Sequence, residues 1–137
     1  MRYFIGVAFL VMLFASGASA IEIRHSNTTW AGQGMCAYEL TVDAQGSQGG
    51  IENFSIDITL LDDSGKPLGD EKTADLDGIL GDSNATRYGQ LFIEGDCEAK
   101  SLRINKATGG ISGRPVDFVK EKQLAPRKFE PLPIAIE

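Results

Sequence analysis

The sequence predicts an all-β fold, a two-sheet sandwich of the fibronectin-III or immunoglobulin-like type with one disulfide. Three observations predict it. Apolar and polar residues alternate with period two in several short segments. Turn-forming residues separate these segments at regular spacing, and no segment carries the apolar stripe of an amphipathic helix. The 137-residue chain also contains two cysteines, which suit a small exported domain.

Residues 1–20 have the pattern of a secretory signal peptide. Arg2 supplies a positive start, Tyr3 to Phe14 form an almost uninterrupted apolar run, and Ala18-Ser19-Ala20 matches a signal cleavage site. The apolar run is shorter than the ~20 residues of the alternative, a retained membrane-spanning anchor. We therefore expect residues 21–137 to form the mature protein, one β-sandwich domain that is secreted through the periplasm.

The charge balance is acidic. The chain has 13 Lys and Arg against 19 Asp and Glu; without Arg2, 12 basic residues remain, giving a mature net charge of −7. Nucleic acids and anionic membrane surfaces require a basic face on the protein. The sequence therefore predicts no nucleic-acid partner and no binding to anionic membranes. Because no second hydrophobic stretch follows residue 20, it also predicts no membrane insertion.

Cys36 and Cys97 are predicted to form a disulfide. Both lie in the exported part of the chain, where an oxidising compartment favours a bridge. Two free thiols or a metal site are the alternatives, but with His25 as the only histidine the chain lacks an evident four-ligand zinc set. The predicted bridge would tie strands that are distant in sequence.

The alternation is clearest in two segments, Cys36-Ala37-Tyr38-Glu39-Leu40-Thr41-Val42 and Phe54-Ser55-Ile56-Asp57-Ile58-Thr59-Leu60. Each predicts a strand with one buried face. A turn is predicted in Asp62-Asp63-Ser64-Gly65-Lys66-Pro67, and another at Gly95-Asp96. Six to eight strands are expected in all, the others being Ile21–Arg24, Arg87–Glu94, Lys100–Ala107, Val116–Val119 and Leu132–Ile136. The last two are assigned to later or edge positions, because Pro126, Pro131 and Pro133 would break interior pairing.

No enzymatic or metal site is predicted, and no cofactor. His25 has no nucleophile or acidic partner at a useful spacing and is interpreted as a surface or strand-end residue. The acidic pairs Asp62–Asp63 and Asp75–Asp77 lie in turn-like sequence, so a hydrolase remains an unsupported third hypothesis. A solvated loop is favoured over a calcium site in the segment 75–82, because Asn84 stands where an EF-hand loop needs a bidentate Glu.

Trp30 has two interpretations. It is an exposed aromatic anchor for a partner, or it closes one end of the sandwich, which the usual burial of Trp favours. The only Trp precedes Cys36, whereas the antibody pattern places a Trp after the first Cys. This order favours a fibronectin-III-like or otherwise immunoglobulin-like sandwich over an antibody-type domain.

The chain resembles a known family in its layout: a mature start at Ile21, a single Cys36–Cys97 pair, Leu60-Leu61-Asp62-Asp63-Ser64-Gly65-Lys66 at a hairpin, and a Pro-rich, strand-like tail. It resembles the interleukin receptor mimic proteins of pathogenic enterobacteria. That resemblance implies a secreted fibronectin-III-like virulence protein that forms a strand-exchanged homodimer, binds host cytokine (interleukin) receptors and modulates immunity. It assigns no binding residue, because no diagnostic contact motif is available to match.

The main alternative is a periplasmic structural or assembly component of a surface organelle, whose exposed strand edges pair with a partner's strand. Recovery of the protein from culture supernatant would favour the receptor mimic. Recovery with the cells would favour the assembly component.

Overall fold

The structure is a computed structural model that describes residues 21–44, 49–127 and 132–137. The predicted signal peptide and Pro131 lie outside these residues. Within these ranges, regular structure consists of a short 3-10 helix at Asn84–Thr86 and ten strands. The strands are β1 Ile21–Gly32, β2 Met35–Asp43, β3 Ile51–Leu61, β4 Lys72–Asp75, β5 Ile79–Leu80, β6 Tyr88–Asp96, β7 Ser101–Ile111, β8 Arg114–Asp117, β9 Leu124–Pro126 and β10 Ile134–Ile136.

The strands form two sheets. One has the order β6-β2-β1-β9, and the other has the order β10-β7-β3-β4, with β5 paired to β3 and β8 paired to β7. Pairing is antiparallel except where the C-terminal strands join, β9 beside β1 and β10 beside β7. This arrangement, with a Cys36–Cys97 disulfide, confirms the predicted all-β sandwich.

The core lies between the sheets and is built largely from the two segments with the clearest alternation. The rings of Phe54 on β3 and Phe118 lie 5.8 Å apart in a tilted arrangement. The other core side chains are mostly aliphatic and almost free of solvent contact. The most buried side chains include Ile21, Ile23, Tyr38, Leu40, Val42, Ile51, Ile56, Ile58, Leu60, Leu80, Leu91, Leu102 and Ile104.

Glycine lets β6 approach the opposite sheet closely. Gly95 is buried, and a Cβ atom built on it would lie 2.1 Å from Cδ1 of Leu60 on β3. Such a contact is far inside van der Waals distance, so any larger residue would displace Leu60. The position therefore needs glycine because of space rather than backbone conformation.

The predicted turn after β3 is confirmed. Asp62 organises it, because its carboxylate accepts hydrogen bonds from the N–H groups of Ser64 and Lys66 at 2.8 and 2.9 Å. Gly65 has a φ of 79°, which a residue with a Cβ rarely adopts.

Some predicted boundaries were wrong. The first strand continues from Arg24 to Gly32, because pairing with β2 stabilises polar residues that show no alternation of their own. The residues Gly95-Asp96 extend β6 rather than forming a turn, since they pair with β2. The count of six to eight strands missed β4, β5 and β9, which are too short, at four, two and three residues, to show a period.

Candidate protein-interaction surface

The four-stranded sheet carries most of the exposed apolar side chains. Among the described residues, five large hydrophobic side chains are exposed, and four of them belong to β1, β2 or β6. Their exposed fractions are 72% for Trp30, 37% for Met35, 54% for Tyr88 and 58% for Phe92. The fifth, Ile79 on β5, is 44% exposed. Aromatic residues and Met are enriched at protein interfaces, so this sheet is the candidate binding surface.

The sequence of β6 explains why these aromatic residues face solvent. Burial alternates strictly from Tyr88 to Gly95, so the even positions point outward and the odd positions enter the core. Antiparallel partners share a face, which places outward residues of β2 beside those of β6. We name six of them the β2–β6 patch; they form the directly opposed pairs Met35–Asp96, Ala37–Glu94 and Glu39–Phe92.

Tyr88 lies at the other end of the same face and is held by its neighbours. Arg87 donates two hydrogen bonds to the buried carboxylate of Asp43, from Nε at 2.8 Å and from Nη2 at 3.0 Å. Its guanidinium carbon lies 4.8 Å from the centre of the Tyr88 ring, a cation–π distance. The hydrogen bonds to Asp43 raise the pKa of Arg87 above its ordinary value.

A small cleft opens beside Tyr88, and the space in it is about 10 Å³, roughly enough for one water molecule. Pockets for small-molecule ligands usually measure about 300 to 1,000 Å³. This cleft is therefore far smaller than a small-molecule site. Its lining residues are Glu22, Ile23, Arg24, Thr41, Asp43, Tyr88 and Arg127.

Trp30 lies near the end of the β1–β2 hairpin, directly opposite Cys36. The hairpin end, residues 30–36, is fixed to the segment after β6 by two links. One is the disulfide from Cys36 to Cys97, and the other is a 3.1 Å hydrogen bond from the Cys97 N–H to the Gly34 carbonyl. The favoured interpretation of Trp30 as a plug of the sandwich was wrong, because the hairpin extends the indole into solvent.

His25 is buried, so its interpretation as a surface residue was also wrong. Its Nδ1 accepts a hydrogen bond from the Leu132 N–H at 3.1 Å, while Nε2 lies 2.8 Å from the Asn27 carbonyl and 2.7 Å from Oγ1 of Thr28. A β-bulge between His25 and Asn27 creates this local geometry. The imidazole therefore joins β1 to the C-terminal segment and has a structural role.

The residues considered for metal or acid–base chemistry are not brought together. Asp75 ends β4, and Asp82 accepts a hydrogen bond from Thr86 beside the 3-10 helix. Within the described ranges, no group of three or more His, Cys, Asp or Glu side chains could hold a metal ion. The same residues include no helix long and apolar enough to cross a membrane.

The comparisons with known proteins identify a family. The family model of IrmA, interleukin receptor mimic protein A, matches residues 21–125. The solved structure of IrmA from Escherichia coli is 31% identical, with a TM-score of 0.67, and the alignment covers 82% of this chain and 94% of that one. No curated protein matches the chain significantly.

One other solved structure is a GH20 exo-β-N-acetylglucosaminidase from Vibrio harveyi, in complex with N-acetylglucosamine. It is 12% identical with a TM-score of 0.44, over 85% of this chain and 18% of that one, which is too little to carry a conclusion. The predicted resemblance is confirmed by the family match and by the Escherichia coli structure. This chain is a member of the interleukin receptor mimic protein A family.

Proposed function

We propose that this protein is an exported binding protein that acts on host interleukin signalling and thereby modulates immunity. The family is described as a receptor mimic rather than an enzyme, which supports binding as the activity. The single structural observation behind the proposal is the group of exposed apolar side chains on the four-stranded sheet, above a core that is already filled. Exposed apolar side chains grouped on one sheet commonly mark a contact with another protein.

Two members of the interleukin system are candidate partners. The sequence resemblance pointed to host cytokine receptors. The family description favours the interleukin itself as a second candidate, because a molecule that mimics a receptor presents the surface to which the cytokine binds. Binding to either partner would interfere with the contact between a cytokine and its receptor.

Membership of the family does not favour the alternative, a periplasmic assembly component. Export remains part of the proposal: the signal peptide would be removed before Ile21 and the mature protein released from the cell. The mass of the protein recovered from culture supernatant would test both points. A mature mass in the supernatant supports secretion, and a retained leader or a purely cell-associated protein contradicts it.

We also propose a homodimer formed by strand exchange. The two C-terminal strands support it, since β9 and β10 have three residues each and pair in parallel with strands distant in sequence. Short terminal elements of this kind exchange between copies at little cost. The mass of the oxidised protein in solution tests the proposal, because a monomer at micromolar concentration would contradict it.

The direct test is equilibrium binding of the purified, oxidised protein to two immobilised sets, soluble interleukins and interleukin-receptor ectodomains. Saturable binding to a member of either set supports the function, and the set identifies the partner. Absence of binding to both sets would overturn it.

Trp30→Ala identifies the surface used in that binding. If the hairpin end contributes a central aromatic contact, affinity should fall about 30-fold, equivalent to about 2 kcal/mol. Ile79→Ala is the matched control, because Ile79 is an exposed apolar residue of the other sheet. Equal effects of the two substitutions would exclude the hairpin end as the binding surface.

A further inference from the structure

We propose that the β2–β6 patch binds a basic protein surface, with Phe92 as the apolar anchor and carboxylates around it as the groups that pair with Lys or Arg of the partner. This inference rests on the proposed function and specifies the chemistry of the partner. It follows from the side chains that share the patch.

The patch combines apolar side chains with one sign of charge. Its three opposed pairs contain the carboxylates Glu39, Glu94 and Asp96 but no Lys, Arg or His. Glu94 is exposed, while Glu39 and Asp96 are partly exposed. None of the three takes part in an ion pair within the described part of the chain.

The hydrogen bonds of these carboxylates leave room for a partner. Oε1 of Glu39 accepts one from the Ser26 hydroxyl at 3.2 Å, and Oδ1 of Asp96 accepts one from the Glu98 N–H at 2.8 Å. A carboxylate accepts about four hydrogen bonds, so both groups retain acceptor capacity. Neither local hydrogen bond neutralises the negative charge.

Phe92 supplies the reason to expect an interface rather than a solvated acidic face. Its ring is 58% exposed and lies directly opposite Glu39, with Glu94 two residues further on the same side of β6. An apolar centre with a charged rim is the arrangement of protein-binding surfaces. The carboxylates would provide orientation and speed of association, and the ring would provide buried area.

The negative charge of the β2–β6 patch also limits which kinds of molecule can bind there. Two copies of the patch facing each other would bring six carboxylates together without a cation, so a second copy of this chain is disfavoured at this face. The net charge of −7 after removal of residues 1–20 repels nucleic acids and anionic lipids as well. A protein surface rich in Lys or Arg remains as the complementary occupant.

The test is selection of a random peptide library, displayed on phage, against the immobilised oxidised protein. This probe needs no interleukin, so its result is independent of the binding test above. Selected peptides are then measured against Phe92→Ser, Glu94→Lys and Glu52→Lys. The last is the matched control: it makes the same charge change at an exposed residue on β3, in the other sheet.

We expect peptides that combine Lys or Arg with an apolar residue. Their affinity should fall at least about tenfold with Phe92→Ser and with Glu94→Lys, and less than about threefold with Glu52→Lys. Equal losses with the two lysine variants would mean general attraction to an acidic protein and would overturn the inference. Acidic or uncharged peptides, or no enrichment at all, would overturn it too.

Discussion

His25 acts through both ring nitrogens. Because Nδ1 accepts the N–H of Leu132, that nitrogen carries no proton in the folded protein, and Nε2 carries the proton of the neutral ring. Protonation would convert Nδ1 from a hydrogen-bond acceptor into a donor. It could then no longer accept the N–H of Leu132, and the link between β1 and the C-terminal segment would be lost. Burial lowers the pKa of His25 from its ordinary value, while the hydrogen bond to Asn27 and the charge of Glu39 oppose that shift.

The lowered pKa predicts a loss of stability in acid. The folded pKa lies below the unfolded value of 6.5, so the unfolded chain binds the proton more readily. The stabilising contribution is therefore complete above the unfolded pKa. It decreases as the pH falls below that value and is fully lost below the folded pKa.

Urea unfolding at about pH 7.5 and about pH 5.5 measures this effect, with His25→Gln as the control. We expect the wild type to lose more free energy of unfolding than the variant between these two pH values. The acidic residues are common to both proteins, and His25 is the only histidine. Identical losses of unfolding free energy in the wild type and the variant would show that the pKa of His25 is the same in the folded and unfolded states.

At the level of elements, β6 determines how the candidate surface is presented. One face of this strand packs against β3 through Gly95, and the other carries Tyr88 and Phe92. The same strict alternation therefore produces both the close sheet packing and the exposed aromatic residues. Any change that lifts β6 away from the core would also move the β2–β6 patch.

Gly95→Ala tests this packing. The added methyl group would collide with Leu60, so we expect a loss of about 1 to 3 kcal/mol in the free energy of unfolding. Gly110→Ala on β7 is the control, because the nearest atoms to its Cβ would lie 3.9 and 4.0 Å away. The control should change stability by less than about 0.5 kcal/mol. Urea unfolding that ranks the two variants equally would contradict the packing described here.

The disulfide stabilises the same end of the sheet. It closes a loop with a sequence separation of 61, so in the chain-entropy model its loss should cost about 4 kcal/mol. We expect Cys36→Ala with Cys97→Ala to lower the free energy of unfolding by about 2 to 5 kcal/mol in urea. The wild type under reducing conditions should behave like the double variant. A double variant as stable as the oxidised wild type would refute this estimate.

At the level of the whole molecule, part of the fold could be predicted from the sequence. The disulfide and the two sheets were predictable because the segments at 36–42 and 54–60 alternate strictly and the chain has only two cysteines. The environments of Trp30 and His25 could not be predicted. They depend on how far β1 continues through polar residues by pairing with β2, and on the C-terminal segment that packs against it. Phe92 had a usable signal, the alternation of residues 88–95, but its neighbours required the register with β2.

The charge and the exposed surface of the whole protein favour another protein as its partner. One sheet exposes apolar and acidic side chains, and the cleft beside Tyr88 has room for only about one water molecule. The chain belongs to the interleukin receptor mimic protein A family, which supports the proposal that this surface acts in interleukin signalling. The central claim is therefore interference with a cytokine–receptor pair.

Formation of the complex between an interleukin and its receptor ectodomain, measured with increasing amounts of the oxidised protein, tests this claim most directly. We expect concentration-dependent, saturable inhibition with at least one pair, whether the protein occupies the cytokine or the receptor, and weaker inhibition by Phe92→Ser. Undiminished complex formation with every pair, at concentrations where the protein remains folded, would contradict the account.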